Sequence, residues 1–289
     1  MLSAQLAIGA AEIFARYALL GAGPLAVSAL RLSISALLAL AVARGSVWLG
    51  RRREAAFGAA GFALAVHFAA WIASLAYTSV AVSTLLVTTT PLWTEAYDVI
   101  RGRRAAGRAF AASALLALCG GWLIGNARTF APPPVPGHAL GGVARALVGA
   151  VAIGAYLLIV RDAGAQGTLR LATRHIVART YAWAALALLL AAFGAREGPP
   201  AAENLPAWGG VLAMALVSQS LGHTALNAAL RDFSPSTIAV TTLLEPGIAA
   251  VLAAGIFHET LGARAVFGGL LVLAAVGTTL LRTRLTPES

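Results

Sequence analysis

Two stretches decide how the chain is read: residues 77–93, YTSVAVSTLLVTTTPLW, and residues 232–248, DFSPSTIAVTTLLEPGI. They align without a gap at an offset of 155 residues, which sets Ser79 on Ser234 and Pro91 on Pro246. His67 and His223 fall within one residue of the same offset, and Arg31 and Arg179 match if a few residues are inserted in the second half. Alanine-rich helices align readily by chance. The ordered set of arginine, histidine, serine and proline is what points to a duplicated unit.

The surrounding chain is built for lipid. Of its 289 residues, 59% are hydrophobic and 11% charged, a composition found in membrane proteins. A spanning helix needs about 20 mostly apolar residues. Cutting at glycine, proline and arginine clusters gives ten candidate spans: 2–20, 24–43, 55–76, 79–99, 108–126, 141–160, 173–194, 207–230, 235–257 and 262–282. The first contains Glu12 and Arg16 and lacks the basic leader and cleavage site of a signal peptide, so it is read as a retained helix.

All 21 basic residues are arginine, and they set the orientation. With the N-terminus in the cytoplasm, the inner loops and tail hold 14 arginines, among them Arg44, Arg51–Arg53, Arg101, Arg103, Arg104, Arg161 and Arg174. The outer loops hold 3: Arg128, Arg196 and Arg264. This bias predicts cytoplasmic N- and C-termini in a bacterial-type inner (plasma) membrane. The net charge of +10 is thereby explained by topology, without nucleic acid. The single Cys119 excludes an intramolecular disulfide framework, and no metal-ligand spacing or cofactor motif occurs.

The proline-rich connector APPPVPGH, 131–138, divides the ten spans into two sets of five. The expected architecture is an all-α membrane protein of two five-helix repeats, 1–128 and 140–289, joined by an external connector at 129–139. An odd number of spans per repeat makes the second copy enter the membrane from the opposite side. Many secondary transporters use such inverted repeats to expose one site alternately to each face.

PLAVSALRLSISALL at 24–38, the stretch at 77–93, and LRDFSPSTIAVTTLLEPGIAAVLAAGIFHETLGARAVFGGLLVLAAVG at 230–277 carry a family resemblance. With them the chain resembles the drug/metabolite transporter superfamily, EamA-type, and within it the aromatic amino acid exporters (YddG-type). That resemblance implies a carrier of small metabolites with two five-helix domains. It also implies an acidic residue before the last helix of each half. Glu259 in FHETLG fits this in the second half, whereas Arg104 stands at the first-half position.

Polar groups at mid-membrane depth are costly and commonly face a partner or a wet cavity. Glu245 precedes the helix-opening Pro246 and is read either as a cavity acid that binds a substrate ammonium or proton, or as a packing group. The aligned first-half position is Thr90, near Pro91, and both prolines are expected bending points. Glu12 and Arg16, spaced i,i+4, are expected either to neutralise each other or to release one partner to the substrate. Arg31 and Arg179 are read as tethers between helices or as carboxylate binders. His67 with Trp71, and His223 with Asn227, form symmetry-related candidates for the cavity wall. Trp93, Tyr97, Tyr156 and Trp183 complete the aromatic set. Glu95 is an intramembrane charge without a counterpart at Ala250, and Asp98 is expected to pair with Arg101.

These readings predict a monomeric carrier of small amphiphilic metabolites, amino acids including aromatic ones, with the lipid bilayer and the substrate as its only partners. A multidrug or nucleotide-sugar carrier is the alternative within the class. A channel or intramembrane enzyme is the alternative outside it, although no nucleophile–base pair or GxSxG elbow occurs.

Overall fold

In lipid every backbone polar group must find its partner within the protein, and a helix does this locally, so long apolar runs fold as helices. A computed structural model describes residues 2–43, 51–103, 107–125, 139–165, 173–223, 225 and 244–285. Among them the chain is helical, with no β-strand. The elements are α1 (Leu2–Gly9), α2 (Ala11–Ala18), α3 (Pro24–Val42), α4 (Arg51–Ser74), α5 (Val80–Val87) and α6 (Thr90–Ile100). After these come α7 (Arg108–Gly125), α8 (Ala139–Ala165), α9 (Thr173–Gly194) and α10 (Leu205–Ala213). The last runs directly into a π-helix, Met214–His223, and α11 (Glu245–Phe257) and α12 (Ala263–Leu285) complete the set.

Five helical stretches are long and apolar enough to cross a membrane: Pro24–Val42, Arg51–Ser74, Leu140–Ala163, Arg174–Gly194 and Leu205–Gly222. Three of the expected spans differ from simple rods. Span 2–20 is two helices that meet at Ala10, span 79–99 is two helices that meet at Thr88 and Thr89, and span 207–230 widens into the π-helix. The connector 131–138 and the ninth span before Leu244 lie outside the described residues.

Packing runs between the two halves of the chain more than within them. Helix α3 lies on α9, α4 on both α8 and α9, α7 on α12, α2 on α10, and α1 on the π-helix. Helix α5 touches α8 and α11, α6 touches α8, and α1 touches α11. The main apolar core draws on α2, α3, α4, α5, α9, α10, α11 and the start of the π-helix, with Val27, Leu32, Ile72, Leu188, Val211 and Met214 buried in it.

Close crossings fall at glycines. A methyl group on Gly61 of α4 would stand 2.5 Å from Trp183 Cβ of α9, and one on Gly120 of α7 would stand 2.6 Å from the Gly268 carbonyl of α12. Without a hydrophobic drive between helices in lipid, such close backbone contact supplies the packing energy.

Candidate functional site

The site begins where α5 gives way to α6 at Thr88 and Thr89. Pro91 has no N–H, so the Val87 carbonyl loses its helical donor. The Thr90 hydroxyl donates to that carbonyl at 2.8 Å, and Thr88 and Thr89 do the same for Leu85 and Leu86 at 2.7 and 2.6 Å. The threonine run therefore satisfies the backbone through the break. The Thr90 hydroxyl also lies 3.3 Å from the Ala150 carbonyl of α8, which ties the break to the second half.

The π-helix meets the break between α1 and α2. Within it the Ser220 hydroxyl donates to the carbonyl of Ala215, five residues earlier, in keeping with the wider turn. Ser218 donates to the Ala7 carbonyl of α1 at 2.7 Å. Irregular backbone at membrane depth is tolerated where it is buried in protein or lines a cavity.

Between these elements lies a polar and aromatic cluster centred on Arg31 of α3, which is 1% exposed. Its Nε and Nη2 donate to Gln219 Oε1 at 3.1 and 2.6 Å, and Gln219 Nε2 donates in turn to the Tyr181 hydroxyl. The guanidinium carbon stands 4.2 Å from the Phe68 ring centre and 5.4 Å from that of Trp71. The Trp71 and His67 rings are stacked, parallel within 3° with centroids 6.1 Å apart. His67 Nδ1 donates to the Gly149 carbonyl at 2.9 Å, which fixes the tautomer and leaves Nε2 without a proton in the neutral ring. Glu12 lies beside Thr84 and within electrostatic range of both Arg31 and Glu245.

Charged groups also gather at two ends of the bundle. At one, Glu259 Oε1 pairs with Arg16 Nη2 at 2.8 Å, and Oε2 accepts the Val80 amide at 2.9 Å at the start of α5. Nearby, Glu197 Oε2 accepts the Leu25 and Ala26 amides at 2.7 and 2.9 Å at the start of α3. Both carboxylates sit where unpaired amides and the helix dipole favour negative charge. At the other end, Arg161 holds Asp98 through two bonds of 2.8 and 2.9 Å, and Arg103 holds Asp162 through two of 3.0 and 3.1 Å. Asp162 in turn holds Arg103 above the usual guanidinium range. Glu54 bonds Arg179 and also accepts Trp183 Nε1 at 3.1 Å. Arg52, Tyr97, Leu158, Ile159 and Asp162 line a cleft of about 430 Å³ there.

Among the residues singled out from the sequence, His67, Trp71 and Arg31 come together, and Glu12 and Glu245 lie within electrostatic reach of one another. Tyr156 packs beside the same core. Trp93 is 40% exposed and donates to Thr89, Tyr97 lines the end cleft, and Glu95 is buried on α6. Pro246 occupies the first turn of α11. His223 closes the π-helix with its side chain outside the described residues, as is all of Asn227.

Two expected pairings are corrected. Arg16 pairs with Glu259 and not with Glu12, because a contact from a distant loop replaces the i,i+4 neighbour. Asp98 pairs with Arg161 and Arg103 and not with Arg101. Gln219 and Tyr181 were visible in the sequence only as polarity and aromaticity. Glu54 and Glu197, near helix termini, carried no signal of their long-range partners.

No match is found among curated proteins. A solved structure described only as "Crystal structure of protein" superposes with a TM-score of 0.64 at 18% identity, over 98% of this chain and 96% of its own, a likeness of fold alone. Residues 140–281 match the model of the EamA-like transporter family. Residues 140–281 are thus similar to an EamA-like transporter, and with the apolar helices this likeness supports a multi-pass membrane protein of the drug/metabolite transporter superfamily.

Proposed function

We propose that the protein is a secondary transporter that exports small metabolites, amino acids including aromatic ones, by alternating access through its centre. It does so with ten spans in two inverted halves, 1–128 and 140–289, joined at 129–139, with both termini cytoplasmic. The packing partners support this reading. Exchanging the halves turns the contact of α4 with α8 into that of α10 and its π-helix with α1 and α2. The same exchange maps the pairs α3–α9, α5–α11 and α7–α12 onto themselves. A site on such an axis is reached from either face by rocking one half against the other, with Pro91 and Pro246 at the bending points.

The observation that carries the substrate class is the Arg31, Trp71 and His67 cluster, buried where irregular helices of both halves meet. A planar aromatic wall beside a cation suits an amphiphile with a ring and an acid group. A nucleotide diphosphate calls for several converging cations. Arg16 and Arg179 are instead committed to Glu259 and Glu54, which favours the amino acid.

Proteoliposomes loaded with radiolabelled phenylalanine test this. The expected outcome is saturable, carrier-dependent efflux with counterflow, reduced about tenfold by Trp71→Ala in folded protein. Flux that rises linearly with concentration and shows no counterflow would point to a channel instead.

A further inference from the structure

We propose that Arg31 and Glu12 are the two charge-reading groups of the transport site, Arg31 anchoring the α-carboxylate and Glu12 the α-ammonium of one dipolar substrate. This rests on the amino acid reading above and assigns the work within it to residues of α3 and α2. A buried guanidinium and a buried carboxylate are each costly in a membrane interior unless paired. Glu12 is 6% exposed and Arg31 1%, yet they form no mutual ion pair within 4.0 Å. The π-helix that mounts Arg31 through Gln219 also packs on α2, which carries Glu12, so both charges lie in one part of the bundle and act on one another electrostatically. Arg31 Nη1 and Glu12 Oε2 are both buried with no hydrogen-bond partner among the described residues. Opposite charges that feel each other without touching, each with one bonding atom left over, match a ligand that carries both charges on one carbon.

The mounting of Arg31 fits that role. Gln219 takes Nε and Nη2, and Phe68 and Trp71 cover the guanidinium, so its plane is fixed and Nη1 remains for an incoming carboxylate oxygen. A guanidinium so held reads carboxylate geometry, which an ammonium on a flexible stem does not. Gln219 is neutral, so it orients the cation without cancelling its charge. Trp71 then supplies an apolar surface next to the anchored carboxylate, where an aromatic side chain rests.

Purified protein in detergent is titrated with three probes: phenylalanine, phenethylamine without the carboxylate, and 3-phenylpropionate without the ammonium. Wild-type protein should bind phenylalanine at least about tenfold more tightly than either analogue. Arg31→Lys, which keeps the charge, should weaken phenylalanine and 3-phenylpropionate by about tenfold or more and leave phenethylamine unchanged. Glu12→Gln should give the opposite pattern, weakening phenylalanine and phenethylamine only. Phenylalanine binding that survives both substitutions overturns the assignment and leaves the amino acid reading intact. Wild-type protein that binds none of the three probes overturns that reading, and the assignment with it. Uniform weakening of all three probes by Arg31→Lys shows a structural arginine and also overturns the assignment.

Discussion

The two ends of the bundle hold charge in different ways. At the Glu259 end one carboxylate bridges three elements, taking Arg16 of α2 and the first amide of α5 from its own loop after α11, with side-chain exposures of 12% and 5% for the pair. At the Asp98 end two carboxylates and two arginines cross-link, and the arginines are 42% and 35% exposed. The first arrangement is a single buried latch, and the second is a redundant, wetted network beside an open cleft. In the proposed alternating-access cycle, the contacts of a closed end must break each time. A single latch releases in one step, whereas the network can exchange partners without leaving a charge bare.

The sharpest way to break this comparison is Glu259→Gln. The amide can still accept from Val80, but Arg16 keeps a buried charge with no counter-ion. Removing one member of a buried pair costs about 3 kcal/mol or more, so folded protein in mixed micelles should lose about that much stability. Adding Arg16→Met should recover a large part of the loss, because no bare charge then remains. A single substitution without effect would mean that the Glu259 end is not latched.

The joint between the two ends gives an intermediate effect. Thr90→Val leaves the Val87 carbonyl unsatisfied next to Pro91, at about 1–2 kcal/mol. Pro91→Ala added to it supplies a backbone N–H for that carbonyl and should restore stability, while a stiffer span slows transport. If the double variant is no more stable than Thr90→Val alone, the hydroxyl does not replace the proline's missing donor.

Local rules read the chain well wherever the physics is local. Apolar run length located five helices long and apolar enough to cross a membrane, and Pro91 marked the break between α5 and α6 because a missing N–H acts within one turn. The same rules failed at Glu12 and Arg16, whose spacing fits an ion pair that the fold does not make. Arg16 finds Glu259 across 243 residues and Arg31 finds Gln219 across 188, and no periodicity encodes such a meeting. Alignment of the two halves directed attention to Glu245, the acid beside the repeated proline. The buried atoms of Arg31 and Glu12 came to notice only once the helices were packed, since an unpartnered atom is a property of the assembled site.

The smallest effect tests the redundancy of the network. Asp98→Asn removes one carboxylate charge, yet Arg161 retains Asp162 at 3.1 Å and Arg103 retains it at 3.0 Å. With both arginines more than a third exposed, solvent screens the loss to about 0.5 kcal/mol, and added salt should shrink it further. Unfolding at low and high salt measures both quantities. Combining Asp98→Asn with Asp162→Asn should cost more than the two single changes together, because each acid substitutes for the other only while one remains. Strict additivity would mean that the two pairs are independent contacts, and the contrast with the Glu259 latch would then reduce to exposure alone.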